Sequence, residues 1–285
     1  MQDNFELKHV ALEICKSRNL NLIRKVGEGT FKETFEVSDN NSNHYALKIF
    51  RSVEMDTRKE REIKSMLRCD HPGIAKIQDI DTFDFNGDKF LFLLEEYFGG
   101  GTLEDRITKN AEKDKEKIID LGIELINGIS HIASLQLVHR DIKPANILFR
   151  ETSNKPIITD FGIVRDLQAT SETKTWLPHG PGTPLYSAPE QLNNEKRLID
   201  WRTDQFALGV TLSFYGFNMH PYDHLGFIAE HIIEEVAKWG KISKKFKENI
   251  DIVGLPALEK MVSVWPANRY RTPELLLENW TNQGR

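Results

Sequence analysis

The stretch VHRDIKPANILF at residues 138–149 gathers side chains that can do chemistry between two apolar ends. Five of them fall within eight residues of the chain: His139, Arg140, Asp141, Lys143 and Asn146. Because an unpaired charge is costly to bury, the segment is either a solvated loop between two strands or a site. The rest of the sequence has to decide between these two interpretations.

A further acidic residue follows at the end of a short predicted hairpin. The runs ILF and KPIIT predict two strands, after which the chain continues as Asp160-Phe161-Gly162. Asn146 and Asp160 could supply oxygen ligands for Mg²⁺, which takes few protein carboxylates and completes its shell with phosphates and water. Asp141 would then be left as a proton acceptor. These residues alone leave both interpretations, the solvated loop and the site, open.

Composition and charge limit the class of protein that could carry such a site. Of the 285 residues, 39% are hydrophobic and 28% charged, which is typical of a soluble globular chain. The net charge of −5 offers no basic excess, so we expect no nucleic-acid partner. The two cysteines, Cys15 and Cys69, are too few for a disulfide framework and fit a reducing compartment.

Targeting signals point the same way. The N-terminus MQDNFELKHV lacks the apolar core of a signal peptide. The longest apolar runs, such as FLFLL at 90–94, are far too short to span a bilayer. We therefore expect a cytoplasmic protein with no membrane segment in this chain.

The elements that must position the site change character along the chain. After a helical lead-in at 1–19, residues 20–98 hold short apolar runs separated by turn signals, which predict strands and one helix at 56–68. The predicted strands are at 20–29, 34–39, 44–50, 74–81 and 89–97. Residues 99–285 are mainly helical in pattern. We expect a strand-rich lobe, a helix-rich lobe and a ligand cleft between them.

The clearest helical spacing in the second lobe lies at 115–136, directly before the charged stretch. Further helices are predicted at 203–216 and 224–239. The candidate site therefore begins just past a long helix, at the start of the second lobe.

The ordered set HRDIKPAN, DFG and SAPE resembles the eukaryotic-type protein kinase family, and the likeness runs from about residue 20 to 278. The resemblance implies an α+β, bilobal kinase fold: a small lobe with a five-stranded antiparallel sheet and one main helix, and a larger, mostly helical lobe. The segments TDQFALG and PGTPLYSAPEQ are similar to those of bacterial members. One catalytic domain would comprise both lobes.

The resemblance implies that GEGTF at 27–31 covers the phosphates of ATP, since glycines let backbone N–H groups approach closely. The third glycine of the family pattern is replaced here by Lys32, and the usual Val by Thr34. The ATP-binding residues implied by the resemblance are Val26, Gly27, Glu28, Gly29, Thr30, Phe31, Lys32, Thr34, Ala46, Lys48, Glu96, Phe98, Asn146 and Asp160.

Lys48 of YALKIF matches the strand lysine that pairs with the α- and β-phosphates in this family. It should face the opposite way from its neighbours Leu47 and Ile49. The implied helix partner of Lys48 is Glu62, with Glu60 as the fallback.

The segment LLEEYFGGGTL resembles the hinge that binds the adenine edge, through the Glu96 carbonyl and the backbone of Phe98. This alignment puts Glu95 where kinases carry an apolar residue or Thr. A buried carboxylate there needs a partner or a raised pKa. Either the register slips by one residue or the back of the pocket is unusually polar.

The resemblance assigns catalytic roles to Asp141, Lys143, Lys48 and Glu62. Asp141 would accept or orient the proton of the substrate hydroxyl, and Lys143 would offset charge on the γ-phosphate. Asn146 and Asp160 would hold Mg²⁺, with Mn²⁺ as a substitute. Lys143 followed by Pro144, with Thr183 of GTP, is typical of serine/threonine kinases, so the expected partner is a protein with a Ser or Thr acceptor.

Regulation is implied by Arg140, because an Arg before the catalytic Asp needs an anionic partner. The activation segment offers Thr170, Ser171, Thr173 and Thr175 as phosphate acceptors. We favour Thr175 and then Thr173, with autophosphorylation in trans as one route.

Other matched residues would support the fold. Glu190 should pair with Arg269, and Asp204 should hold the backbone of the catalytic loop. The positions of an apolar stack found in active kinases are matched by Met66, Ile77, His139 and Phe161.

Two alternatives compete with an active protein kinase. The altered glycine loop and Glu95 favour a pseudokinase that acts as a nucleotide-binding scaffold, although a full set of catalytic residues opposes it. A small-molecule phosphotransferase of similar fold would lack the GTPLYSAPE segment at 182–190.

Overall fold

The computed structural model of the chain describes residues 7–29, 32–50, 66–109, 114–161 and 184–283. The chain divides into two compact units. Of the described residues, those up to 70 and those at 75–97 belong to the first unit. Residues 71–74 and all described residues from 98 onward belong to the second.

In the described part of the first unit, a helix is followed by a five-stranded sheet, all of whose strand pairs are antiparallel. The sheet order is β1-β2-β3-β5-β4. This confirms the sheet predicted for the small lobe. The elements are α1 (Lys8–Arg18), β1 (Asn21–Glu28), β2 (Lys32–Ser38), β3 (His44–Phe50), β4 (Ile77–Phe85) and β5 (Asp88–Glu96). Of the predicted helix at 56–68, residues 56–65 lie outside the described residues.

The two faces of this sheet differ in character, as the alternation of strand side chains requires. One face is apolar and packs against α1. The cluster comprises Leu7, Val10, Ala11, Ile14 and Cys15 with Phe35, Val37, Leu47, Ile49, Phe90 and Phe92. The other face carries Lys48, which therefore points away from Leu47 and Ile49 as predicted. The lead-in helix is thus an integral layer of the first unit.

Polar contacts fix the end of α1 on the sheet. Asn19 adopts a left-handed conformation, φ 56°, that ends the helix. Arg18 Nε then donates to Asp79 Oδ2 at 3.0 Å, and Arg18 Nη2 to Asp81 Oδ2 at 2.6 Å. Both carboxylates belong to β4, at one edge of the sheet.

The regular elements of the second unit, within its described residues, are helices and one short hairpin. Its elements are α2 (Leu103–Thr108), α3 (Lys115–Ser134), β6 (Ile147–Phe149), β7 (Pro156–Ile158), α4 (Pro189–Leu192), α5 (Trp201–Phe217), α6 (Ala229–Ala237), α7 (Lys244–Val253), α8 (Pro256–Met261) and α9 (Pro273–Asn282). Every residue of α5 from Thr203 to Phe214 is buried, so this helix is the centre of the unit.

Helices α3 and α9 approach closely at a glycine. A Cβ atom at Gly122 would lie 2.3 Å from the ring of Trp280, so only glycine fits there. Trp280 is fully buried and its Nε1 donates to the Ile119 carbonyl at 2.9 Å. This contact fixes the long helix that precedes the charged stretch.

The prediction of a helix over 224–239 was wrong at its start, because α6 begins at Ala229. The carboxylate of Asp223 accepts hydrogen bonds from three consecutive backbone N–H groups, those of Leu225, Gly226 and Phe227, at 2.8–3.2 Å. These bonds give the backbone a turn in place of a helix.

The unit boundary also differs in detail from the sequence-based one. Residues 71–74 belong with the helical unit, since the Ile158 N–H donates to the Gly73 carbonyl at 2.9 Å and Ile74 bridges Ile158. Within the described part of the chain, no helix has the length and apolar character needed to cross a membrane.

Candidate catalytic and nucleotide site

The backbone of the charged stretch is fixed by one buried carboxylate of the second unit. Asp204, 1% exposed on α5, accepts the His139 N–H at 2.7 Å and the Arg140 N–H at 2.8 Å. Arg140 has a left-handed conformation, φ 66°, which costs energy in a residue with a Cβ. Burial raises the pKa of Asp204 to about 7, against the lowering effect of the two N–H bonds. The predicted link from Asp204 to the loop backbone is present.

The side chains of the stretch converge on Asp141. Lys143 Nζ and Asn146 Nδ2 both donate to Asp141 Oδ2, each at 2.8 Å. Asn146 Nδ2 also donates to the Asp141 carbonyl at 2.8 Å. The Asp141 and Lys143 side chains are 18% and 17% exposed, so the pair is partly shielded from water. A carboxylate oriented in this way can accept or align a proton.

The hairpin of β6 and β7 sets Asn146 and Asp160 at neighbouring strand ends. Ile147 pairs with Ile158, and the Thr159 N–H donates to the Asn146 carbonyl at 3.0 Å. Asp160 follows directly, with a left-handed φ of 64°. Because the Asn146 amide nitrogen donates to Asp141, its oxygen is directed elsewhere and can act as a ligand.

These two residues fit Mg²⁺ by their chemistry. One amide oxygen and one carboxylate are hard ligands, and Mg²⁺ binds few protein groups when phosphates supply the rest. Among the described residues, no group of three or more His, Cys, Asp or Glu could hold a metal ion. A dedicated all-protein site for a softer metal is therefore not found in the described parts of the chain.

His139 is a packing residue and orients the loop backbone. It is fully buried, and its Nε2 donates to the Thr159 carbonyl at 3.1 Å while its Nδ1 accepts the Asp141 N–H at 3.3 Å. Burial lowers the pKa of His139 to about 4, so the ring is neutral near pH 7. The Phe161 ring lies 4.8 Å from it.

The predicted Glu190–Arg269 pair is present and fully buried. Arg269 Nη1 and Nη2 donate to the two Glu190 oxygens at 2.6 and 2.9 Å. The remaining guanidinium N–H groups donate to backbone carbonyls at 2.7–2.9 Å. The acceptors are Ser263, Arg202 and Val264. All five N–H groups of the guanidinium thus have an acceptor, which offsets the cost of burying its charge.

Gln191 is a supporting residue that the sequence did not reveal. It follows Glu190 on α4, and its Nε2 donates to the Arg140 carbonyl at 2.9 Å. Its Oε1 accepts the Ala188 N–H at 3.2 Å. Both partners of Gln191 are backbone groups, which every residue type carries, so no sequence motif indicates these bonds. Through Gln191, the α4 segment helps to hold Arg140.

In the first unit, the glycines of GEGTF, Gly27 and Gly29, lie at the end of β1, which pairs with β2. The Gly29 N–H donates to the Lys32 carbonyl at 2.9 Å. A Cβ at Gly27 or Gly29 would meet its nearest described neighbours at 3.6–3.7 Å, an ordinary contact, and neither residue has a positive φ. The described fold therefore does not itself demand glycine here, which fits a loop that a ligand approaches closely.

Lys48 has a partner that the sequence did not assign to it. The Lys48 ammonium donates to Glu95 Oε1, and the two residues are 4% and 3% exposed. Ala46 pairs with Glu95 and Tyr45 with Glu96, and β3 and β5 pair without an irregularity. Of the two alternatives for Glu95, the structure shows the polar one. Glu62, the partner expected for Lys48, lies outside the described residues.

The remaining nucleotide positions are distributed between the units. Thr34 pairs with Lys48 across β2 and β3, and Ala46 is buried beside them. The Glu96 N–H donates to the Lys76 carbonyl at 3.0 Å, at the end of β5. Phe98 belongs to the second unit, with the Arg150 guanidinium 4.9 Å from its ring centre.

The other predicted positions divide between β1 and segments outside the described residues. Val26 and Glu28 lie on β1, whereas other predicted site residues fall outside the described part of the chain: Thr30, Phe31, Glu60, Glu62, Thr170, Ser171, Thr173, Thr175 and Thr183. Of the predicted apolar stack, Met66 and Ile77 are buried in the first unit.

Comparison with known proteins extends over nearly the whole chain. Residues 20–281 match the family model described as protein kinase domain. The meiosis-specific serine/threonine-protein kinase mek1 of Schizosaccharomyces pombe is 29% identical over 273 residues, covering 90% of this chain and 58% of that protein. Serine/threonine-protein kinase PrkC of Bacillus subtilis is 28% identical over 262 residues, covering 89% and 38%. The chain thus spans only part of these relatives.

Two solved structures share the fold. Rad53 1-466 in complex with AMP-PNP superposes with a TM-score of 0.73 at 21% identity, over 93% of this chain and 66% of that one. The PknI kinase domain of Mycobacterium tuberculosis, a double mutant, gives 0.69 at 19% identity, over 94% and 96%.

Proposed function

Because the chain belongs to the protein kinase family and to its serine/threonine class, we propose that it transfers the γ-phosphate of ATP to Ser or Thr hydroxyls of proteins. The observation that carries this proposal is the convergence of Lys143 and Asn146 on Asp141. A carboxylate held beside an ammonium can orient a hydroxyl while the ammonium offsets charge on the phosphoryl group. The AMP-PNP bound by the related Rad53 structure supports ATP as the donor.

The cation requirement follows from the neighbouring donors. Asn146 and Asp160 would hold Mg²⁺, or Mn²⁺ in its place, and the cation would neutralise phosphate charge. The β6–β7 hairpin fixes the backbone that leads to Asp160, and the bond to Asp141 orients the Asn146 side chain before a cation binds.

Lys48 is the third element of the proposal. It would contact the α- and β-phosphates, and its position on β3 keeps its ammonium on the face opposite to α1. Removing it should lower the rate by about 10²- to 10³-fold, the typical effect of losing one preorganised charge-stabilising group.

The acceptor class and the regulation rest on residues near Asp141. Lys143 is followed by Pro144, as in serine/threonine kinases. Asp204 and Gln191 hold the backbone of Arg140 next to Asp141, and the proposal gives its guanidinium the role of binding a phosphate on the activation segment. We place that phosphate on Thr175 or Thr173, added by autophosphorylation in trans.

The proposal is tested by incubating the protein with γ-labelled ATP and a basic protein substrate, with Mg²⁺ and with EDTA. We expect label on phosphoserine or phosphothreonine, lost in EDTA, with peptide mapping locating self-phosphorylation within residues 163–183. An initial rate of self-labelling that grows with the square of protein concentration supports transfer in trans. Nucleotide binding without any transfer would contradict the kinase activity and favour a scaffold.

A further inference from the structure

Two opposite charges are buried together on one face of the first unit's sheet. The side chains of Lys48 and Glu95 are 5% and 4% exposed, and they are joined by a hydrogen-bonded ion pair. Lys48 pairs with Leu93 across β3 and β5, and Glu95 pairs with Ala46. The two charged residues are therefore diagonal neighbours on the same face, within reach of each other.

The described neighbours of Glu95 across β3 and β5 do not themselves call for a carboxylate. Its neighbours on this face, Ala46 and Leu93, are apolar and 6% and 3% exposed. Taking a carboxylate and an ammonium out of water is costly, and apolar side chains of similar volume are often at least as stable. Buried titratable groups with a specific charge partner are candidates for a functional role.

The geometry restricts what Lys48 can do. An ammonium on a four-carbon stem has many rotamers, and each fixed hydrogen bond removes some of them. The bond to Glu95 draws the ammonium toward the strand that leads to the hinge segment, along the face that also carries Ala46 and Thr34. These are the residues assigned to the nucleotide.

We infer that Glu95 is a positioning residue for the nucleotide: it holds the Lys48 ammonium where the α- and β-phosphates of ATP bind. This inference rests on the proposed function, because it concerns the same nucleotide site. It gives Lys48 an anchor on β5 that is separate from the partner Glu62, which the resemblance implies.

A positioning role through Lys48 affects only ligands that carry phosphates. Adenosine has no phosphate and does not need the Lys48 ammonium. Glu95→Gln keeps the size of the side chain and removes its charge. We expect it to weaken ATP binding about tenfold, the effect of replacing a charge-assisted hydrogen bond by one to a neutral acceptor, while adenosine affinity stays within about threefold.

The test measures the dissociation constants of ATP and adenosine by calorimetry for the wild type, Glu95→Gln and Glu95→Asp. Glu95→Asp retains the carboxylate on a shorter stem and should recover part of the ATP affinity. The matched control is Glu33→Gln. Glu33 is another buried carboxylate of the same sheet, paired with Lys25 at 3.0 Å, but it pairs across the sheet with Ile49 on the α1 face. The Glu33→Gln variant should bind ATP and adenosine with affinities near those of the wild type.

A double-mutant cycle separates positioning from direct repulsion of the phosphates. In the Lys48→Met background, adding Glu95→Met replaces both charges by apolar groups, a change that buried pairs often tolerate. If Glu95 acts through Lys48, ATP affinity should not change between the single and the double variant. A rise in ATP affinity in the double variant, or in Glu95→Gln itself, would show that Glu95 opposes the nucleotide and would overturn the inference.

Rates complete the comparison. Glu95→Gln should lower kcat/KM for ATP by at least about tenfold. Equal ATP and adenosine losses in Glu95→Gln would mean that the carboxylate only stabilises the fold, which also contradicts positioning. If the wild type binds ATP but transfers no phosphate, the proposed function fails, while the ratio of ATP to adenosine affinity still decides the role of Glu95. If the wild type binds no ATP, both fail.

Discussion

The two units hold their charged groups by different means. In the second unit, Asp204 and Arg269 are bound mainly by the backbone, and every N–H of the Arg269 guanidinium has an acceptor. In the first unit, the side chains of Lys48 and Glu95 bind each other on one face of the sheet, and α1 packs on the other face. Backbone partners fix a side chain through the fold itself, whereas side-chain partners depend on two rotamers at once.

This difference suggests a division of roles. The groups around Asp141 are built into a rigid scaffold before any ligand arrives. Lys48 is held by an ion pair that a single substitution can alter. The second unit should therefore depend on its buried polar pairs for stability, and the first unit on its apolar layer.

The largest expected effect is in the second unit. Arg269→Met should destabilise the fold by about 4 kcal/mol, because it leaves the Glu190 carboxylate buried without its charged partner. The measurement is urea unfolding followed by circular dichroism. Arg202→Met is the matched control, since Arg202 is partly exposed and pairs with Asp200 near the surface, and it should cost about 1 kcal/mol or less. Similar losses of unfolding free energy in Arg269→Met and Arg202→Met would contradict the contrast between a buried and a partly exposed ion pair.

The apolar layer of the first unit should come next. Ile14→Ala removes a fully buried side chain between α1 and the sheet and should cost about 3 kcal/mol. Leu12 lies on the same helix but is 37% exposed, so Leu12→Ala should cost under about 1 kcal/mol. Both values come from chemical denaturation. If Ile14→Ala had no effect, α1 would not be a layer of this unit.

Much of this organisation was predictable from sequence. Short apolar runs separated by turn signals indicated the five strands, and HRDIKPAN and DFG placed Asp141, Asn146 and Asp160 around one short hairpin, where the structure has them. Glu190 and Arg269 were paired in advance because each belongs to a motif. The partner of Lys48 was not found, because Glu95 reaches it by a diagonal contact between strands that are 47 residues apart at these positions. Gln191 was missed because its partners are backbone atoms.

Acid should weaken the second unit through its buried histidines. Burial lowers the pKa of His220 to about 3, and its Nε2 donates to the Leu185 carbonyl at 3.0 Å. In the unfolded chain His220 has the ordinary pKa of about 6.5. The stability contributed by its neutral, buried ring is therefore complete above that pH and is lost as pH falls toward the folded pKa. At pH 5 the loss should be about 2 kcal/mol relative to pH 8.

The variant His220→Gln isolates that contribution. Its stability, measured by urea unfolding between pH 8 and 5, should fall less steeply than that of the wild type. His224→Gln, an exposed neighbour, should keep the wild-type slope. Acid also destabilises the fold through the lowered pKa of His139, whereas the raised pKa of Asp204 has the opposite effect. The contribution of His220 is therefore the difference in slope between His220→Gln and the wild type. Identical slopes for His220→Gln and wild type would show that His220 is not buried as a neutral ring.

The smallest effect should come from the surface contact of α1. Arg18→Ala removes ion pairs to Asp79 and Asp81 that are 37–54% exposed, and should cost about 0.5 kcal/mol at low salt. The cost should shrink in 1 M NaCl, where exposed charges are screened. A loss that persists at high salt would indicate that the packing of Arg18 over Phe92, 5.3 Å away, matters more than its charge.

The central claim is that Asp141, held by Lys143 and Asn146, supports phosphoryl transfer. The most direct measurement compares the wild type with Asp141→Asn in kcat for transfer from ATP and in the dissociation constant of ATP. We predict a fall in kcat of about 10²- to 10⁴-fold, the range for loss of an acid–base group, with ATP affinity changed little. Equal kcat values in the two proteins would contradict the account.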